Sequence, residues 1–130
     1  MTTLDHVTLT ASDFAASVAF YEAALGALGL DRVAELVDEE ADEAPIEAVA
    51  WGSGDDGIIW LVAGDAPTCG LHVRLRADSR VQVETFYATA LAAGGREHGA
   101  PRRWTLYRRG EFNAIVLDPA GNLIEAVAPE

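Results

Sequence analysis

GLHVRL at residues 70–75 puts a histidine inside a short apolar strand pattern. Leu71, Val73 and Leu75 fall on one face, so alternation leaves His72 and Arg74 on the other. LDHVTL at residues 4–9 repeats the stretch, with His6 in the slot of His72. When the second half is laid over the first with His72 on His6, further matches appear. Val7 meets Val73, Leu9 meets Leu75, Phe20-Tyr21 meets Phe86-Tyr87, Ala24-Leu25 meets Ala90-Leu91, and Gly29 meets Gly95. Towards the ends the register slips by one, and residues 58–63 (IIWLVA) lie over 123–128 (LIEAVA). An internal repeat on this scale describes the whole fold.

Each half carries the same order of elements. A strand opens it (3–10; 70–76), followed by a cap signal at Ser12-Asp13 or Asp78-Ser79 and a helix over about 14–28 or 79–93. Phe14, Val18, Tyr21 and Leu25 recur at helical spacing, as do Val83, Phe86, Tyr87 and Leu91; the Phe-Tyr pairs are read as core. Gly29 and Gly94-Gly95 read as helix stops. Shorter strands follow at about 32–37, 46–52 and 57–63 in the first half, and at 96–98, 104–109, 112–117 and 122–128 in the second. The expected fold is α+β, built from two βαβββ modules. Residues 1–130 then form one domain, with module one at 1–64, module two at 70–130 and a linker at 65–69.

Bulk properties narrow the function. The chain has 130 residues, half of them hydrophobic, and no apolar run of membrane-spanning length. Its net charge of −12 argues against nucleic acid or an anionic membrane as partner. The N-terminus has no secretory pattern and Cys69 is the single cysteine, which together predict a reducing, cytoplasmic setting. The acid run DEEADEAPIE at 38–47 reads as a solvated loop. RRWTLYRR at 102–109 is a local basic patch, either a solvated hairpin tip or a site that captures a small anion at a cleft mouth.

Glu125 sits in an otherwise apolar strand and shares its face with Leu123 and Val127, a costly place for an acid unless it is paired or binds a cation. His6, His72 and Glu125 are therefore the candidate metal ligands. Two imidazoles and a carboxylate converging from rigid strands suit a divalent metal with positions left open, and a His–Glu hydrogen bond in a polar cavity is the alternative. Trp51, Trp60, Trp104 and Phe112 are candidate pocket walls for a small organic molecule. Tyr107 is the candidate acid/base group. Arg74, on the His72 face, is the candidate anchor for a carboxylate or phosphate, or else a salt-bridge partner. His98 reads as surface.

The stretches LDHVTLTASDFAASVAFYEAALGALGL, GLHVRL and VLDPAGNLIEAV resemble the vicinal oxygen chelate superfamily, which includes glyoxalase I, extradiol dioxygenases, fosfomycin-resistance transferases and bleomycin-resistance proteins. The resemblance implies two βαβββ modules forming a cup-shaped, incomplete barrel, with ligands on the first strand of each module and on the last strands. These map onto His6, His72 and Glu125. Glyoxalase I-like members carry a further glutamate where this chain has Trp60, so the resemblance favours a three-ligand site over glyoxalase I itself. It implies a divalent ion acting as Lewis acid: Fe2+ for oxygen chemistry, or Zn2+, Ni2+ or Mn2+ for isomerase or lyase chemistry. It also implies a homodimer, with or without module exchange, in which His6 and His72 can belong to different subunits. Bleomycin-resistance-type members imply the alternative, a metal-free dimer that binds a drug or other small ligand.

Overall fold

The computed structural model describes residues 2–37, 39–40, 42, 46–104 and 110–129. Strand-forming runs and capped helices alternate along it as β1 (Val7–Ala11), α1 (Phe14–Gly26), β2 (Asp31–Val37), β3 (Ile46–Ser53) and β4 (Asp56–Ala63). The second half repeats the order as β5 (His72–Arg76), α2 (Arg80–Ala92), β6 (Arg96–Trp104), β7 (Glu111–Leu117) and β8 (Leu123–Pro129). The carboxylate of Asp13 accepts from the Ala16 amide and the hydroxyl of Ser79 from the Gln82 amide, so both helices begin on a side-chain cap. No helix is long and apolar enough to cross a membrane.

Each module folds into one open four-stranded sheet, ordered β1-β4-β3-β2 and β5-β8-β7-β6. The first and last strands of a module pair in parallel, which the intervening crossover permits, and the remaining pairs are antiparallel. One face of each sheet packs on its own helix, and α1 packs on α2. The shared core runs from Leu9, Leu61 and Trp51 through Phe20 and Tyr21 to Phe86, Val116 and Ile124. Within one chain the sheets remain two separate open cups, each facing away from the helix layer, and do not close into a single barrel.

The strand expected at 96–98 extends to Trp104 as β6 (Arg96–Trp104), with two register shifts, and the one expected at 104–109 lies, beyond Trp104, outside the described residues. Pro101 is tolerated there because β6 lies at the sheet edge, where a missing donor breaks no ladder on its outer side. The turn DPAGN (residues 118–122) is an interlock. The Asp118 carboxylate accepts from the amides of Ala120 and Asn122, from the Asn122 side chain and from the Tyr21 hydroxyl of α1. Asn122 in turn donates to the Thr68 carbonyl and accepts from the Leu71 amide, while the Thr68 amide donates to the Thr10 carbonyl. The motif therefore holds linker, first module and second module together.

Candidate functional site

Parity along the strands decides which side chains reach a cup. On β7, Phe112, Ala114 and Val116 belong to the core, which turns Glu111, Asn113 and Ile115 to the open face. Glu125 on β8 pairs with Ile115 on one side and with Arg74 on the other, and so shares that face. His72 is the first residue of β5. His72, Arg74, Asn113, Ile115 and Glu125, with His98, Gly99, Ala100 and Arg102 of β6, line a cavity of about 580 Å³, within the range for a small organic ligand.

Glu125 is the centre of the cavity's polar wall and only 2 % exposed. Its Oε1 lies 2.7 Å from His72 Nε2; its Oε2 accepts from Asn113 Nδ2 at 2.6 Å and sits 3.1 Å from Arg74 Nε. Burial pushes the carboxyl pKa up, but the bonds from Asn113, His72 and Arg74 outweigh burial and hold it below the ordinary range. The Arg74 guanidinium also donates to Glu111 Oε2 at 3.2 Å. Glu111 is buried, and its Oε1 has no hydrogen-bond partner among the described residues.

His6 stands just before β1, in the other cup. Its Nδ1 bonds Asp5 at 2.7 Å and its ring lies edge-on to Trp60 at 6.3 Å. That cavity, about 550 Å³, is lined by Asp5, Asp55 and Asp56 along with His6 and Trp60. A β-carbon on Gly57 would come within 3.0 Å of the Trp60 indole nitrogen, so this glycine makes room for the ring.

The structure thus brings together two of the three expected ligands, His72 and Glu125, and sets His6 apart in the same chain. Among the described residues no group of three His, Cys, Asp or Glu side chains is placed to hold a metal. Arg74 does lie beside the pair, as an ion-pair partner of Glu125 and Glu111. Two of the expected pocket walls need correction. Trp51 is 1 % exposed, faces α1, stacks at 5.9 Å on Tyr21 and donates to Glu22, because it pairs with Ile59 on the core side while its neighbour Ala50 pairs with Trp60. Phe112 lies on the α2 side of its sheet, under the Arg80 guanidinium. Trp60 does line a cup, though the one that holds His6. Tyr107 and the Trp104 side chain lie outside the described residues, as do residues 38, 41 and 43–45 of the acid run.

Asn113 and His98 join the site without having been candidates, and Arg102, the first residue of the basic patch at 102–109, lies in its lining. Asn113 carries the same signal as Glu125, a polar group on the open parity of an apolar strand. His98 carries none, and for Arg102 the basic patch is the only signal, because the two register shifts in β6 erase alternation there.

The repeated βαβββ module and its parallel first and last strands define a two-module α+β fold, with a polar centre on the open face of the second sheet. The family model "Glyoxalase/Bleomycin resistance protein/Dioxygenase superfamily" matches residues 3–126. The chain belongs to that superfamily. Among solved structures it is similar to a glyoxalase/bleomycin resistance protein from Albidiferax ferrireducens T118, with 25% identity, 97% of this chain and 98% of that one covered, and a TM-score of 0.75. It shares the fold of a lactoylglutathione lyase from Agrobacterium tumefaciens (22% identity, 98% and 94% covered, TM-score 0.66). The same holds for TioX from Micromonospora sp. ML1 (16% identity, 99% and 100% covered, TM-score 0.68). No curated protein sequence matches the chain.

Proposed function

We propose that the chain is a metal-assisted enzyme acting on a small organic molecule, with its reaction centre at His72 and Glu125 and a third donor, His6, supplied by a second copy of the chain. The observation that carries this is the 2.7 Å contact between His72 Nε2 and Glu125 Oε1 on the wall of an open cavity. Both atoms are metal donors, and a cation placed there takes over the role of the proton they share. One chain supplies two donors, and a catalytic centre of this type uses three, so the pair fits a metal only as part of a larger set. His6 supplies the missing imidazole if the cup of module one closes over the cup of module two in a dimer.

When bound, a divalent ion (Fe2+, or Zn2+, Ni2+ or Mn2+) supplies Lewis acidity towards substrate oxygens. The chain's own residues do the rest. Asn113 and Arg74 hold the far oxygen of Glu125 and so fix the carboxylate's orientation. Trp60 brings an apolar wall from the partner cup. The reaction type stays at the level of dioxygenase, isomerase or lyase.

One observation favours a second reading, the metal-free ligand-binding dimer. Glu125 already has three donors, including a guanidinium, and so does not require a metal to be satisfied. Metal analysis of protein purified without chelator or metal affinity, with His72→Ala and Glu125→Ala alongside, separates the two. About one ion per chain in the native protein, lost in both variants, supports the enzyme reading. No metal, and none taken up from Fe2+, Mn2+, Ni2+ or Zn2+, leaves the binding protein.

A further inference from the structure

We propose that the β6 wall of the module-two cavity is an oxyanion subsite, in which Arg102 and His98 hold a carboxylate or similar small oxyanion of the ligand. This rests on the small-molecule reading above and names the substrate class: a small organic anion whose body lies over Gly99 and Ile115 and whose other end meets His72 and Glu125.

Three observations carry it. The first is backbone register. β6 pairs Gly99 with Ile115 and then, after a shift, Arg102 with Asn113. Without that extra residue Arg102 would pair with Phe112, on the core side, and Pro101 would take the place opposite Asn113. The bulge therefore turns Arg102 into the cavity, a use of bulges common beside binding sites. An earlier shift, between Glu97 and Gly99, falls at His98. Both irregularities of this strand sit where it lines the cavity.

The second is the donor inventory. His72, Arg74, His98, Arg102 and Asn113 all bring N–H groups to the lining. Those of His72, Arg74 and Asn113 are spent in part on Glu125, the one carboxylate of the lining, so His98 and Arg102 are the donors that β6 adds. Among the lining side chains the other acceptors are the Asn113 carbonyl and ring nitrogens. A lining of this kind is complementary to a ligand rich in acceptors.

The third is local charge. The chain carries a net −12, and the cavity of module one follows that sign with Asp5, Asp55 and Asp56 and no arginine. The module-two cavity does not: its lining has two guanidiniums and one carboxylate, with Arg74 paired to Glu125 and to the buried Glu111, and Arg102 is the cation on the β6 side. Gly99 contributes no side chain, and a β-carbon there would meet Ile115 only at ordinary contact distance, 3.7 Å. Its absence leaves a short apolar floor between the β6 wall and the His72–Glu125 end.

Fluorine NMR titrations of the full chain in its native assembly test the subsite with three isosteric probes: para-fluorobenzoate, para-fluorobenzamide and para-fluorobenzylamine. The anion should bind about tenfold tighter than the amide, the scale of one charge-assisted hydrogen bond, and the amine weakest. Arg102→Gln, and more fully Arg102→Gln with His98→Asn, should erase the anion's preference without altering the circular dichroism or the metal content. Equal affinity for anion and amide, or no binding of any probe, overturns the proposal. So does a preference that survives the double variant, or one that is lost only in His72→Ala, which would seat the anion at the reaction centre. Failure of the metal reading shows in metal content alone and leaves the benzoate-to-benzamide ratio as an independent result.

Discussion

Replacing Arg74 with methionine should uncover the electrostatic problem on which this site is built. The guanidinium stands 3.1 Å from Glu125 Oε2 and 3.2 Å from Glu111 Oε2, and the two carboxyl side chains are 3% and 11% exposed. Removing one partner of a buried ion pair costs about 3–5 kcal/mol because the other charge stays buried. Arg74 itself keeps 30% of its side-chain surface in water, so screening brings the expectation down to about 2–3 kcal/mol. For a chain of this size that is a fall in Tm of about 6–15 °C. The pH dependence has a definite sign. The Glu125 carboxyl titrates below its ordinary range when folded, so its contribution is present above that range and is lost as pH falls through the folded value. The Arg74→Met penalty should therefore be full at neutral pH and shrink below about pH 4. Urea denaturation at both pH values measures it, and adding Glu111→Gln should recover part of the loss at neutral pH. Mn2+ should raise the Tm of Arg74→Met more than that of the native protein, since it replaces a missing cation. A penalty below about 0.5 kcal/mol, or one indifferent to pH, would refute the reasoning.

Other substitutions probe the frame around the site. Tyr21→Phe removes a buried bond to the Asp118 carboxylate that joins the modules, and chemical denaturation should show a loss of about 1.5–3 kcal/mol. Gly95→Ala puts a β-carbon 2.7 Å from Phe20 and 2.8 Å from the Ala90 carbonyl, and should destabilise by about 1–3 kcal/mol. Gly26→Ala, in open space at the end of α1, should instead stabilise by about 0.5–1 kcal/mol in the same assay. Trp51→Ala should cost about 3–5 kcal/mol as a core cavity, whereas Trp60→Ala should cost markedly less and weaken ligand binding.

Particular residues explain what the sequence could and could not say. The paired LDHVTL and GLHVRL strands, the Phe-Tyr helices and the closing DPAGN turn made both modules legible, because an internal repeat and strand alternation are local signals. Alternation also put His72, Arg74 and Glu125 on one face, where the sheet pairs Arg74 with Glu125 directly. Trp51 and Phe112 suggest pocket walls by aromatic character, but strand parity puts each one residue off the open face. Asn113 is as legible as Glu125, a polar side chain on the open parity of an apolar strand. The facing of His98 and Arg102 is not legible in the sequence, since bulges depend on pairing with β7, although the basic patch at 102–109 includes Arg102. Nor does any local pattern tell which faces of the modules meet. Here the α1–α2 contact around Phe20, Tyr21 and Phe86 brings the helix layers together and leaves the two cups apart.

That separation makes the shared centre the claim most open to direct test. His6→Ala and Glu125→Ala are purified separately, each expected to hold no metal. They are then mixed, unfolded and refolded together, and the metal content of the mixed dimers is measured. If His6 of one copy completes the His72–Glu125 site of the other, each mixed dimer regains one intact site and metal returns. If the mixture stays as empty as its parents while native protein refolded in parallel regains its metal, the site is not shared between chains and the account is contradicted.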